Sequence, residues 1–406
     1  MTAARAIVTG IGVVAPTGIG TEAYWSAVLR GERAIRPVTR FDASGYWARL
    51  AGEVPGFAAE EHLERRLLPQ TDHMTRMALA ASDWALREAG IDRDAISDDE
   101  IAVVTAATGG GYEFGQRELE KLWQQGPEFV SAYQSFAWFY AVNTGQISIR
   151  HGTRGPGAVI ANEQAGGLDA IGTARRHLAR GARVAVTGAV DSSMCPWAWV
   201  AHQASGGLSG STDPDRAYLP FDVEARGYVP GEGGAILVLE SAAPAAERTD
   251  ATRHVEVAGY ATTFDPRDPD RPPGLRRATE SALADAGAEP DDIDVVFADA
   301  AGVPELDRVE ADTIRGVFGP RGVPVTAPKT MTGRLFAGGG ALDVATAVLT
   351  IRSGVIPPTV NVRAQAPGYD LDLVCDSPRR APVRAALVLG RGRGGFNAAV
   401  VVRAAR

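Results

Sequence analysis

Cysteine and lysine are nearly absent from this chain. Among 406 residues there are two cysteines, Cys195 and Cys375, and two lysines, Lys121 and Lys329, so arginine supplies almost all of the 41 basic side chains. Two cysteines give no disulfide framework, and a cytoplasmic location follows as the expectation. Histidine is scarce too: there are six, and none follows His254. No apolar run is long enough to cross a bilayer; the longest are strand-sized, such as AILVL at 235–239. The opening residues MTAARAIVTG enter a strand at once, without the apolar core of a signal peptide. A net charge of −8 argues against general nucleic-acid binding. What remains is an ordinary globular composition, 45% hydrophobic and 22% charged, long enough for two core units.

The most informative stretch is VIANEQAGGLDAIGTARRHLARG at 159–181. It reads as a strand end, a tight turn, then a helix with Leu168, Ile171, Ala174 and Leu178 on one face, closed by Gly181. A buried strand resumes at 183–190. Such a turn lifts one side chain to a helix N-terminus, where N–H groups and the dipole favour negative charge. Enzymes place Ser or Cys nucleophiles there. Here the apex is Asn162-Glu163-Gln164-Ala165. The amide lone pair of Gln164 is delocalised, so it can exchange hydrogen bonds but cannot attack a carbonyl.

Two echoes run through the chain. ALREAGIDRDAISDDEIAVV at 85–104 matches ALADAGAEPDDIDVVF at 282–297: helix, Ala-Gly stop, acidic linker, strand. AGGLDAIGTARRHLARG at 165–181 matches GGGALDVATAVLTIRSG at 338–354. Their common order predicts an internally duplicated α/β chain, divided into 1–245 and 252–406 across the Ala/Pro/charged stretch 241–252. The strands are continuous apolar runs, which predicts sheets covered on both faces. The helix at 338–354 is apolar nearly all round and should lie between layers. A strand is expected at 5–15, helices at 21–31 and 72–90, and loops across 32–70.

Four stretches carry a family resemblance over nearly the whole length: TGIGVVAPTGIG at 9–20, PFDVEARGYVPGEGGAILVLE at 220–240, PKTMTGR at 328–334 and GVIPPTVN at 354–361. The chain resembles a β-ketoacyl synthase of the thiolase superfamily. The resemblance implies a duplicated five-layer αβαβα fold, and no cofactor or metal. Condensing members use a Cys at the elbow and two His. By position those places are held by Gln164, Ala301 and Arg334, and Arg393 in GRGRGGFNAA at 390–399 takes the place of a gating Phe. Claisen condensation needs a thiolate, an oxyanion pocket and polarising imidazoles. The altered pattern resembles the chain length factor, or β ketosynthase subunit, of type II aromatic polyketide synthases. That likeness implies a heterodimer with a Cys/His/His ketosynthase α subunit, with malonyl and polyketide groups carried by an acyl carrier protein on phosphopantetheine.

By the same likeness, Tyr112, Gly115 and Leu119 in GGGYEFGQRELEKLW at 109–123 should line the polyketide tunnel and gate chain length. Gly115 and Leu119 are small for such a gate, which predicts a long product. No Gly-Lys-Ser/Thr follows that Gly-rich stretch, so it is not a phosphate loop. Gln164 has two readings, a contact that decarboxylates malonyl groups or a hydrogen-bonded space-filling amide. The competing overall functions are a stand-alone malonyl carrier-protein decarboxylase and an acyl-binding homodimer. Tyr133, Phe136, Trp138, Phe139 and Tyr140 are expected at a dimer interface. Lys329 is expected in a buried ion pair and Cys195 as an inert buried thiol. His151 and His177 read as solvated, and Asp213, Asp215 and Asp222 as a solvated capping loop rather than a metal site.

Overall fold

The structure is a computed structural model that describes residues 5–242, 245, 255–268 and 271–405. Ten longer strands build two five-stranded sheets, which hydrogen-bond edge to edge into one continuous sheet that shorter strands extend. The first half supplies β1 Ala6–Ala15, β2 Ile101–Ala106, β3 Gly157–Ile160, β4 Val184–Asp191 and β5 Gly233–Ser241. The second supplies β6 Val255–Phe264, β7 Val295–Phe297, β8 Pro324–Thr326, β9 Ala385–Gly392 and β10 Phe396–Ala404. The spatial orders are β3-β2-β4-β5-β1 and β8-β7-β9-β10-β6. Both therefore read third, second, fourth, fifth, first. Strand senses repeat as well: the second strand of each half runs parallel to both its neighbours, and the fifth runs antiparallel to the fourth and the first. The halves join edge to edge where Ala6, Ile7 and Val8 of β1 face Val257, Glu256 and Val255 of β6.

Parallel neighbours need crossover connections, and helices supply them. Helix His73–Ala89 lays Met77, Ala78, Ala81 and Ala85 on the outer face of the first sheet, against Val103, Val186 and Ile236. Asp72 caps its first turn by accepting from the Met74 amide at 2.9 Å, a contribution of about 1 kcal/mol. Helices Gly166–Ala179 and Ala337–Ser353 fill the middle layer, with Leu168, Ile171, Val344 and Val348 between residues of both sheets. Helices Gly274–Ala286 and Pro304–Phe318 cover the far face, where Leu275, Ala282 and Ile314 meet Val296, Leu387 and Val401. Alternate strand residues thus serve different layers: Val388 faces the middle, Leu387 and Leu389 the outside. This is why the strands read as unbroken apolar runs. The result is the duplicated five-layer αβαβα arrangement of the thiolase-like fold.

The loop-rich stretch 32–70 holds two short paired strands, Ile35–Pro37 and Leu50–Gly52, and two 3₁₀ turns. Most of the predicted junction between the halves lies outside the described residues. No helix among the described residues is long and apolar enough to cross a membrane.

Candidate functional site

Strand β3 ends at Ile160, and the chain turns sharply through 163–165 into helix Gly166–Ala179. Glu163 takes φ of 51° to make that turn, a left-handed conformation costly for a side-chain-bearing residue. Asn162 steadies the approach by donating to Asp169 at 2.6 Å, and the Tyr260 hydroxyl donates to the same carboxylate at 2.8 Å. Gln164 sits at the apex with 1% of its surface exposed. It faces the start of helix Ala337–Ser353, and a Cβ at Gly339 would lie 2.4 Å from its Nε2. Only glycine leaves room for this amide. Neither amide atom has a hydrogen-bond partner among the described residues. The hydrogen-bonded, space-filling reading is therefore corrected: Gln164 fills the space but leaves its amide unpaired, an arrangement that costs free energy.

The other two degenerate positions lie on the C-terminal half. Ala301 is in a tight turn after β7, where Ala300 has φ of 50°. Glu310 grips that turn through its two oxygens, accepting from the Asp299 and Ala300 amides at 2.6 and 2.8 Å. Asp307 accepts from Gly302 and Phe221 amides, both at 2.9 Å. The Ala301 methyl offers neither a donor nor an acceptor to a carbonyl. Arg334 is buried and locked to Asp299, with Nη2 to Oδ1 at 3.1 Å and Nη1 to Oδ2 at 3.2 Å. It also donates to the Asp299 carbonyl at 2.9 Å and lies 5.6 Å from the Tyr228 ring centre. Burial works against its charge, but Asp299, Tyr218 and Glu163 outweigh burial and keep it protonated. A guanidinium so held cannot shuttle protons.

Behind Arg334, Lys329 pairs with Asp343 at 2.6 Å and donates to the Ala298 carbonyl. Four buried carboxyls, Asp299, Asp307, Glu310 and Asp343, therefore surround two buried cations. The imbalance has a titration consequence. Burial first, with neighbouring acids adding to it, pushes Asp307 and Glu310 up to about 7. Asp307 and Glu310 escaped the sequence reading. Their signal was present: two acids three apart on the helical face that carries Ala311 and Ile314, a face that ought to be apolar.

Arg393 stands on the β9–β10 connection. Its backbone amide donates to the Glu163 carboxylate, and its guanidinium donates to the carbonyls of Ser205 and Gly206. Burial, partly offset by Arg334, raises Glu163 above the ordinary carboxylate range.

Tyr112, Gly115 and Leu119 share helix Tyr112–Gln124. Tyr112 meets Trp197 edge to face, ring centres 5.3 Å apart. A Cβ on Gly115 would lie 3.0 Å from the Trp197 ring and 3.4 Å from Trp138 Cβ. Leu119 is exposed. The aromatic stretch 133–140 lies at the surface: Tyr133, Trp138, Phe139 and Tyr140 each expose more than a third of their area.

Three other readings are settled by geometry. His151 is not solvated, because it packs beside Asp83 at 3.3 Å and Ser82 at 3.2 Å. His177 is half-buried. Asp222 is buried rather than solvated, and accepts from the amides of Glu224, Arg363 and Ala364. Asp213 does cap a turn and Asp215 pairs with Arg33. No cluster among the described residues could hold a metal ion. Burial pushes both thiols, Cys195 and Cys375, up to about 11, which makes them poor nucleophiles at neutral pH.

The elbow carries an amide where a nucleophile could stand, and neither Ala301 nor Arg334 beside it can act as an imidazole. Residues 4–245 match the β-ketoacyl synthase N-terminal domain family and residues 254–363 its C-terminal domain family. The chain belongs to the β-ketoacyl synthase family. Within it, the chain is 58% identical, over 98% of both sequences, to the tetracenomycin polyketide synthase ketoacyl synthase beta subunit of Streptomyces glaucescens. It superposes on the ishigamide ketosynthase/chain length factor with a TM-score of 0.90 at 28% identity, over the full length of both chains. A type II polyketide synthase acyl carrier protein in complex with its ketosynthase gives 0.88 at 26% identity, again over both full lengths.

Proposed function

We propose that this chain is the non-condensing, chain-length-determining subunit of a type II polyketide β-ketoacyl synthase. The observation that carries the reading is the elbow itself: its geometry is kept, while Gln164, Ala301 and Arg334 replace the groups that condensation needs. A heterodimer with a Cys/His/His ketosynthase α subunit supplies those groups, and an acyl carrier protein delivers the extender units. The names of its relatives support this: one is a ketoacyl synthase beta subunit, one a ketosynthase/chain length factor, and one an acyl carrier protein in complex with its ketosynthase. The exposed apolar side chains of Trp123, Phe129, Trp138, Phe139 and Ile149 support a partner-covered face, since isolated soluble proteins seldom leave so many exposed together. Two halves, 1–245 and 252–406, form the subunit, and it works in the cytoplasm. Tyr112, Gly115 and Leu119 bound the far end of the shared tunnel.

The test is reconstitution. The chain mixed with its ketosynthase partner, carrier protein and malonyl groups extends a polyketide; the chain alone extends nothing. Elongation by the chain alone would overturn the reading. A second activity, malonyl carrier-protein decarboxylation through Gln164, is disfavoured, because that amide is almost fully buried and takes no part in the wall of the neighbouring cleft. Loss of carbon dioxide release in Gln164→Ala, with the complex intact, would establish it.

A further inference from the structure

A cleft of about 430 Å³ opens beside the elbow, lined among others by Glu163, Tyr228, Ala301, Arg334, Arg391 and Arg393. It stops at Glu163. Gln164, the next residue, takes no part in its wall and is almost fully buried. Arg393 stands in the cleft wall at this boundary. Its backbone amide is fixed to Glu163 on one side. Its guanidinium reaches across to the carbonyls of Ser205 and Gly206 on the other. Those carbonyls end helix Pro196–Ser205, where the last oxygens lack helical donors and the dipole favours a cation. Three bonds thus tie the elbow turn at Glu163 to the end of helix Pro196–Ser205. Gly394 and Gly395, with φ of 85° and 101°, let the connection fold back to place this residue.

We propose that Arg393 is a strap that shuts this chain's own entrance to the elbow, excluding carrier-borne acyl thioesters. Under the subunit reading above, every extender unit must then enter through the ketosynthase partner. The strap itself rests on this chain's geometry alone.

The experiment places a reporter thiol behind the strap. In the complex with the ketosynthase partner, Gln164→Cys is treated with iodoacetamide, and modification of the peptide bearing residue 164 is followed by mass spectrometry. Adding Arg393→Ala should speed modification at least tenfold. Arg393→Met keeps the stem but loses the donors, and should also speed it several-fold. Loss of a nearby cation would by itself make the thiol less acidic and slow the reaction, so acceleration reports opening. Equal rates in all three proteins would overturn the strap, and a slow Arg393→Met beside a fast Arg393→Ala would overturn its hydrogen-bonded form. Amide exchange at 163–166 gives a second readout with Gln164 intact: faster in Arg393→Ala is expected, and no change overturns the proposal. Should the chain not associate with a ketosynthase, the subunit reading fails, while the same labelling of the chain by itself still decides the strap.

Discussion

Arg334 is the replacement whose energetic role can be worked out most fully. Its guanidinium and the Asp299 carboxylate are both buried, joined by two contacts of 3.1 and 3.2 Å, and Asp299 also accepts from the Arg391 amide at 2.9 Å. Changing Arg334→Met keeps the aliphatic stem and removes the charge. Breaking one side of a buried pair strands the other charge, which costs about 3–5 kcal/mol. Losing the contact with Tyr228 adds up to ~1 kcal/mol. Set against a total stability of about 5–15 kcal/mol, the single variant should be severely weakened. The double variant Arg334→Met/Asp299→Asn removes the stranded charge, while the Asn oxygen can still accept from Arg391. It should regain at least half of the loss. Urea denaturation of the two variants and the parent, in the same complex, measures the coupling. Additive losses, or a single-variant cost below ~1 kcal/mol, would refute the claim that this pair is what Arg334 is for.

Three further outcomes follow from other parts of the molecule. Gly115→Thr with Leu119→Phe should shorten the polyketide by at least one two-carbon unit, because a side chain at 115 must press on Trp197 at 3.0 Å; an unchanged product by mass spectrometry would remove these residues from the gate. Stability should fall by about 1–2 kcal/mol between pH 6.5 and 8. In that window the folded chain still releases protons from Asp307 and Glu310, raised to about 7, whereas unfolded carboxyls have already lost theirs near pH 4. His73 and His202, pushed down to about 3 and 4 by burial, act oppositely, mainly below pH 7, and offset only part of the fall; a flat or rising denaturation profile between pH 7 and 8 would contradict the raised acids. Ile149→Asp and Trp123→Asp, at positions 75% and 82% exposed, should leave the fold intact yet weaken association with the ketosynthase at least a hundredfold, while Val223→Asp, also exposed, should not; equal binding in titration calorimetry would exclude this face.

The sequence announced those parts of the fold that depend on periodicity. The elbow helix, the helix capped by Asp72 and the strand Ala6–Ala15 each carry a pattern that burial enforces, and each appears within a residue or two of its expected bounds. At Gln164, Ala301 and Arg334 the residue types themselves were legible, and none of the three can supply a thiolate or an imidazole. What could not be read was partnership at a distance. Asp222 looked like one more loop acid, yet it is buried by three amides, two of them about 140 residues away. Gln164 looked like a residue that would find hydrogen bonds; the glycines of helix Ala337–Ser353, brought in from the other half, surround it without offering any. Pairing across 100 or more residues leaves no periodic trace, so neither outcome had a local signal.

Those long-range partners also explain why positions 301 and 334 carry such different side chains. Position 301 sits on a turn whose backbone is held by Glu310 and Asp307, so a methyl there disturbs nothing that supports the fold. Position 334 faces the Asp299 carboxylate directly, and the neighbouring acids already outnumber the cations. A neutral side chain at 334 would leave that carboxylate buried without a partner, the costly half of a broken pair. An arginine ends the proton chemistry and yet supplies a permanent charge with two parallel donors for the carboxylate. Of the two places, only position 301 can be left without a polar group.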